Sequence, residues 1–238
     1  FGNPEHPEVM WQLSEAVDGL AEACVAFGVP VVGGNVSLYN ESAGTDIDPT
    51  PVIGLLGMVD DLVRRPPGAT LVDGHRLVLL GPSDVSLDGS LWGAIRYARG
   101  GVLAPLDLEL HQRVVDLVRE LVVSGRVDGV HDVSAGGLGV AVAEMVSRSG
   151  VGAHLARIND HRALFGEGPS RVVLAVDPEC LSEVLAAAEA AQVPTTRIGL
   201  ATGDRLIVKG LLDVSVDDVA AAHTDRLPEA LGAGTTNR

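Results

Sequence analysis

The run Arg64-Arg65-Pro66-Pro67-Gly68 constrains this sequence more than any other stretch, because regular structure cannot pass through it. Each proline lacks an amide hydrogen and fixes its own φ, and Pro67 pushes the residue before it out of the helical region. Periodic apolar patterning stops on both sides, which marks a boundary between folding units rather than a loop within one. The expected division is a first unit at 1–63, a linker at 64–70 and a second unit at 71–238. A chain of 238 residues has room for that, since domains usually run roughly 100–200 residues.

Upstream of the break, Val9, Met10, Leu13, Val17, Leu20, Cys24 and Phe27 recur at spacings of three and four, the stripe of an amphipathic helix. Pro7 suits its start, and Gly28 followed by Pro30 suits its end. Val31-Val32 then forms a short strand running into Gly33-Gly34-Asn35; 39–50 is a polar loop, and 51–59 a buried strand broken by Gly54 and Gly57. Downstream, strands are expected over 76–80, 127–132 and 171–176. Helices are expected over 90–98, 106–123, 138–146 and 181–191, the second with Leu110, Val114, Leu117 and Leu121 on one face. The segments 197–201 and 205–208 look like a hairpin across Gly203-Asp204. Alternating helices and strands with hairpin-like pairs mixed in imply an α/β (α+β) fold with a mixed sheet, not a purely doubly wound one.

Charge and composition narrow the functions. A net charge of −15 opposes nucleic-acid binding, which draws its affinity from cations that neutralise phosphates. Lys209 is the sole lysine, so a lysine-based phosphate cradle has almost no material. With 46% hydrophobic and 21% charged residues the chain is globular rather than disordered. Its apolar runs, such as Leu77 to Leu80, fall far short of the ~20 residues that span a bilayer, so no membrane partner is expected. Cys24 and Cys180 sit at apolar-periodic positions and are expected as buried core thiols in a reducing, cytoplasmic setting. The sequence begins Phe1-Gly2-Asn3-Pro4 without a methionine, and is expected to be part of something longer.

Two glycine-rich segments could carry chemistry. In Gly33-Gly34-Asn35-Val36-Ser37 the glycines let backbone amides approach an anion, while the Asn35 carbonyl and the Ser37 hydroxyl are hard oxygen donors. The segment is either a phosphate and Mg²⁺ site or a tight turn, and it lacks the lysine of a P-loop. In His131-Asp132-Val133-Ser134-Ala135-Gly136-Gly137-Leu138, Asp132 or Ser134 could cap the following helix, whose N-terminus suits an anion. A hydrolytic triad is not expected there, because triad members normally come from separate elements. The histidines show no metal-ligand spacing, and His111 is placed on a solvated helix face. Asp60-Asp61 and Asp217-Asp218 belong at element ends, and the tryptophans and tyrosines are too scattered for a stacking platform.

Several runs together carry a family resemblance. They are Phe1-Gly2-Asn3-Pro4-Glu5 through Trp11, Gly33 through Glu41, Pro49 through Gly54, His131 through Ser134 with Gly136-Gly137-Leu138, Glu144-Met145, and Leu164 through Glu167 with Ser170-Arg171. In this order, and until about Ile207, the chain resembles the large synthetase subunit of phosphoribosylformylglycinamidine synthase, the amidotransferase-linked ligase of purine biosynthesis. The resemblance implies the C-terminal portion of that subunit: the end of one aminoimidazole-ribonucleotide-synthetase-like N-domain, then a complete C-domain. It implies a reaction in which ATP phosphorylates the formyl amide oxygen of formylglycinamide ribonucleotide, and ammonia from a glutaminase subunit then displaces phosphate to give the amidine. It places ATP contact at Gly34, Mg²⁺ ligation at Asn35 and substrate contact at Ser37. The family's catalytic histidine, its ATP-binding lysine and its acidic Mg²⁺ ligands belong to an N-terminal half not in this sequence, so the chain alone is expected to be inactive. Ala135 stands where the family's motif usually has an acid, so that turn receives no ligand role. Alternatives are another ATP-dependent synthetase of the same superfamily, or a non-catalytic assembly domain.

Overall fold

The computed structural model describes residues 1–59, 65–98, 100–103 and 105–232. The chain forms two compact units, Phe1–Leu62 and Val63–Arg238. The pair Asp60-Asp61, and the residues Val63 and Arg64 at the expected boundary, lie outside the described residues.

The first unit is built on α1, Pro7–Phe27. Pro7 takes the first helical position, where its missing amide has no partner to lose. Gly28 stops the helix at φ 62°, and the amides of Gly28 and Val29 return to the carbonyls of Val25 and Cys24. Such paired bonds need a left-handed residue, which glycine adopts without steric cost. The apolar stripe is present, yet Val9 is the one buried hydrophobic side chain among the described residues of this unit.

Two of the expected strands do not form. Val31-Val32 and 51–59 have no strand pairing among the described residues, and their apolar side chains stand in the open, Leu56 at 97% exposure. An extended segment becomes a strand only when a neighbour takes its amides and carbonyls. Pairing appears instead within 39–50, the stretch expected to be loop. There β1, Glu41–Ser42, and β2, Thr45–Asp46, form an antiparallel ribbon closed by Ala43 and Gly44, both at positive φ.

In the second unit β3 (Arg76–Leu80), β4 (Gly129–Asp132), β5 (Ala153–Leu155), β6 (Val172–Val176), β7 (Thr195–Ala201), β8 (Arg205–Val208) and β9 (Leu212–Ser215) form one sheet. Its order is β4-β6-β3-β7-β5-β8-β9, with β5 and β8 parallel and every other pair antiparallel. Strand period two sends Leu77 and Leu79 to one face and Val78 and Leu80 to the other. On the first face they meet Leu138, Val142, Met145 and Val146 of α4 (Gly137–Ser149) and Val216 of α7 (Val216–Thr224). On the second they meet Val114, Leu117 and Leu121 of α3 (Leu108–Val123) and Val184 and Ala188 of α6 (Leu181–Ala190). Helices on both faces explain why β3 is an unbroken apolar run. The result is a mixed α/β fold. The short helices α2 (Leu91–Ile95), α5 (His161–Phe165) and α8 (Arg226–Ala230) complete it.

Three further expectations need correction. β7 and β8 are not a hairpin, because β5 lies between them, antiparallel to β7 and parallel to β8. Gly152 bonds both the Gly203 carbonyl and the Thr202 amide, which opens the turn and admits the three-residue strand. The helix expected over 90–98 stops at Ile95, and Tyr97 sits at φ 58°. Cys24 and Cys180 are free thiols that are only partly buried, Cys24 on the open stripe of α1 and Cys180 where α6 begins at the edge of the core.

Candidate functional site

The two longest sequence motifs, which begin at Phe1 and Gly33, meet in the first unit. The amides of Tyr39 and Asn40 donate to the carbonyls of Gly2 and Phe1 at 2.8 and 3.2 Å. Asn40 Nδ2 adds a bond to the Phe1 carbonyl at 3.0 Å, and the Phe1 nitrogen donates to the Ser37 carbonyl at 3.0 Å. The Asn40 amide group also holds the Ser37 hydroxyl, with Nδ2 donating to Oγ at 3.0 Å. Ser37 is therefore anchored by both its backbone and its side chain. The β1–β2 ribbon returns Asp46 to the same place, where one carboxylate oxygen accepts the Asn3 amide at 2.8 Å and the other meets His6 Nδ1 at 2.6 Å. A side chain on Gly2 would collide with that carboxylate, so glycine is required there by close approach.

The charges of this corner reinforce each other. The hydrogen bond and negative charge of Asp46 hold the His6 imidazole above its ordinary pKa. The Asn3 amide, then His6, holds the Asp46 carboxyl below its ordinary value. His6, Asp46, Asn3, Tyr39, Glu41 and Thr45 line a cavity of about 340 Å³. Asp46 was hidden in the polar stretch and His6 had no ligand spacing; only the ribbon's return brings the two together.

Gly34 and Asn35 are placed differently. Both lie in an exposed, non-regular segment, and nothing would meet a Cβ within 4 Å at Gly33 or Gly34. No packing in the described residues requires these glycines, and open space of this kind lets a ligand reach the backbone. The Asn35 side chain has no partner among the described residues. Ser37 joins the motif corner, whereas Gly34 and Asn35 are not brought into it. No three His, Cys, Asp or Glu side chains among the described residues are grouped to hold a metal. The Asn35 side-chain carbonyl is a hard oxygen donor standing open in this segment.

The second glycine-rich motif has its own anion already. The first helical turn of α4 receives no cap from Asp132 or Ser134, contrary to expectation; its N-cap is Gly136, at φ 84°. Glu167 Oε1 accepts the Gly136 amide at 2.8 Å and the Leu91 amide of α2 at 2.8 Å, so one carboxylate serves two helix starts. His131 is held between Glu144 at Nε2, 2.7 Å, and Asp132 at Nδ1, 3.2 Å. With a carboxylate at each ring nitrogen it is no base for Ser134. His111 is not on a solvated face; it is half-buried with Nδ1 3.0 Å from Ser170 Oγ, because α3 lies against the 166–171 loop. Trp92 stacks on Phe165 at 4.8 Å, with His161 at 5.5 Å and the Arg96 guanidinium over the indole.

Comparison with known proteins follows the same division of the chain. The AIR synthase related protein, N-terminal domain, matches residues 1–59, and the C-terminal domain of the same name matches residues 72–210. Phosphoribosylformylglycinamidine synthase subunit PurL of Nocardioides sp. is 42% identical over 234 residues, 98% of this chain and 31% of its own length. The subunit of the same name from Methylocella silvestris is 42% identical over 239 residues, 98% of this chain and 32% of its own length. The chain therefore spans about a third of the length of these relatives. Among solved structures, Thermotoga maritima PurL complexed with FGAR is similar with a TM-score of 0.54 at 20% identity, over 65% of this chain and 29% of that one. The same protein complexed with ATP gives 0.53 at 18%, over 65% and 27%. These two likenesses show the fold.

Proposed function

The chain belongs to the AIR-synthase-related family, and we propose that it forms the C-terminal portion of a phosphoribosylformylglycinamidine synthase synthetase subunit. The observation that carries this reading is the 42% identity over 98% of the chain to a protein of that name. In the proposed reaction ATP phosphorylates the formyl amide oxygen of formylglycinamide ribonucleotide. Ammonia from a glutaminase partner then adds at that carbon and phosphate leaves, giving the amidine, ADP and phosphate. Similar structures named as complexes with ATP and with FGAR support both ligands as substrates.

Within this chain the Gly34 backbone would lie against ATP, the Asn35 carbonyl oxygen would hold Mg²⁺, and Ser37 would contact substrate. Mg²⁺ bound there would neutralise charge on the nucleotide phosphates. Asn40 fixes the Ser37 hydroxyl at 3.0 Å before any ligand arrives, so little ordering remains to be done on binding. The parent's remaining two thirds, by the relatives' length, would provide the rest of the machinery. The purified 238-residue chain supplied with ATP, Mg²⁺, ammonia and formylglycinamide ribonucleotide is expected to form no amidine, while the longer parent forms it. Turnover by the chain alone would overturn the division of labour, and an inactive parent would overturn the reading itself.

A further inference from the structure

Between Ser37 and Asn40 the chain turns through Tyr39, which stands at φ 59°. A non-glycine residue takes that left-handed conformation only when its surroundings impose it, and here the Tyr39 amide is tied to the Gly2 carbonyl at 2.8 Å. The turn brings the Asn40 side chain against the Ser37 hydroxyl, three residues earlier. Asn40 itself has little freedom. Its backbone amide and its Nδ2 both donate to the Phe1 carbonyl, at 3.2 and 3.0 Å, and its own carbonyl accepts the Ile47 amide at 3.3 Å.

These bonds decide which way the Asn40 side-chain amide faces. A carbonyl oxygen can only accept, so the atom beside the Phe1 carbonyl is the nitrogen. One Nδ2 hydrogen serves Phe1, and the other reaches Ser37 Oγ at 3.0 Å. Ser37 Oγ is thereby an acceptor within the protein, and its own hydrogen meets Asn40 Oδ1 at 3.2 Å, the longer contact of the pair. Giving that hydrogen to a ligand requires only a rotation of the hydroxyl, while Nδ2 keeps the oxygen in place. A hydroxyl that already accepts one hydrogen bond is polarised towards donating another.

We propose that Asn40 is a positioning residue that presents Ser37 as a hydrogen-bond donor, so that the group recognised at Ser37 is an acceptor oxygen of the substrate. The proposal rests on the reading of Ser37 as a substrate contact given above. Asn40 acts through Ser37 Oγ, and the Phe1 carbonyl sets the direction in which it acts. The motif that begins at Phe1 thus serves the substrate contact of the motif that begins at Gly33.

Two measurements separate this proposal from the reading beneath it. In ¹⁵N spectra of the 238-residue chain, Ser37→Ala should shift one of the two Asn40 Nδ2–H resonances and leave the other, on Phe1, in place. Two unmoved resonances would overturn the proposal whatever the enzyme does. In the longer parent, Asn40→Asp places an acceptor where the donor stood, and should raise KM for formylglycinamide ribonucleotide about tenfold while KM for ATP stays within about twofold. Asn40→Ala brings no charge beside the Phe1 carbonyl; it should raise the same KM roughly three- to tenfold, and it carries the test if the aspartate variant does not fold. In a Ser37→Ala background neither change at Asn40 should have a further effect, because the group through which Asn40 acts is gone. Effects that are equally large in that background, or that raise both KM values alike, give Asn40 a purely structural role and overturn the proposal. A Ser37→Ala enzyme with unchanged kinetics instead removes the substrate contact at Ser37, and this proposal with it, even where the resonance shift is seen.

Discussion

Ser37 and Asn35 sit two residues apart in one motif but do different physical work. Ser37 is held by Asn40 and the Phe1 nitrogen, whereas Asn35 is exposed with its amide unengaged. In the longer parent, Ser37→Ala should remove a hydrogen bond to a charged substrate, about 1.5–3 kcal/mol or roughly ten- to a hundredfold in kcat/KM. Asn35→Ala should raise the Mg²⁺ concentration needed for half-maximal rate; steady-state kinetics with varied metal would check both, and unchanged values in both variants would remove the assignment. His6 and Asp46 make a pH-dependent pair. His6 has its folded pKa raised, so its contribution is full below the ordinary 6.5 and disappears as pH rises through the folded value. Asp46 has its pKa lowered, so its contribution is full above the ordinary 3.8 and disappears as pH falls through the folded value. The corner is therefore best held between those two ordinary values. An NMR titration should place His6 above 6.5 in the native chain, and Asp46→Asn should return it towards that value.

Elements in the second unit are joined by side chains that the linear pattern does not reveal. Glu167 binds the starts of α2 and α4 with a single oxygen, replacing the caps that Asp132 or Ser134 would have offered. Removing it leaves two amides without their acceptor, so Glu167→Ala should lower stability by about 1–3 kcal/mol. Urea unfolding would measure this, with Glu167→Gln retaining part of the loss because an amide oxygen still accepts. Where an element's own residues decide its limits, the sequence was sufficient. Pro7 and Gly28 end α1 where expected, and the apolar period of α3 buries Val114, Leu117 and Leu121 as read. Where pairing decides, it was not. The run 51–59 is apolar enough for a buried strand but has no partner in the described residues, and β5 is too short at three residues to announce itself between β7 and β8.

At the scale of the second unit, one sheet carries two separate cores. Leu121 belongs to the face of α3 and α6, Met145 to the face of α4 and α7, and both are fully buried. Leu121→Ala and Met145→Ala should each cost about 2–5 kcal/mol, and the double variant should equal their sum within about 0.5 kcal/mol. Strong non-additivity in denaturant unfolding would argue against two cores separated by a sheet. The net charge of −15 belongs to this scale too: it disfavours polyanions as a class.

The sequence by itself determined helices α1, α3, α4 and α6, the strand at 76–80, the mixed α/β class and the family, because these follow from short-range periodicity and from contiguous motifs. Only the tertiary structure decided which polar groups meet. Asp46 reaches His6 through the turn at Ala43-Gly44, Glu167 becomes the cap of two distant helices, and Arg171 is buried with its Nε unpartnered. The physical reason is that a hydrogen bond or an uncompensated charge depends on distances between residues far apart in the chain, and apolar period carries no information about those.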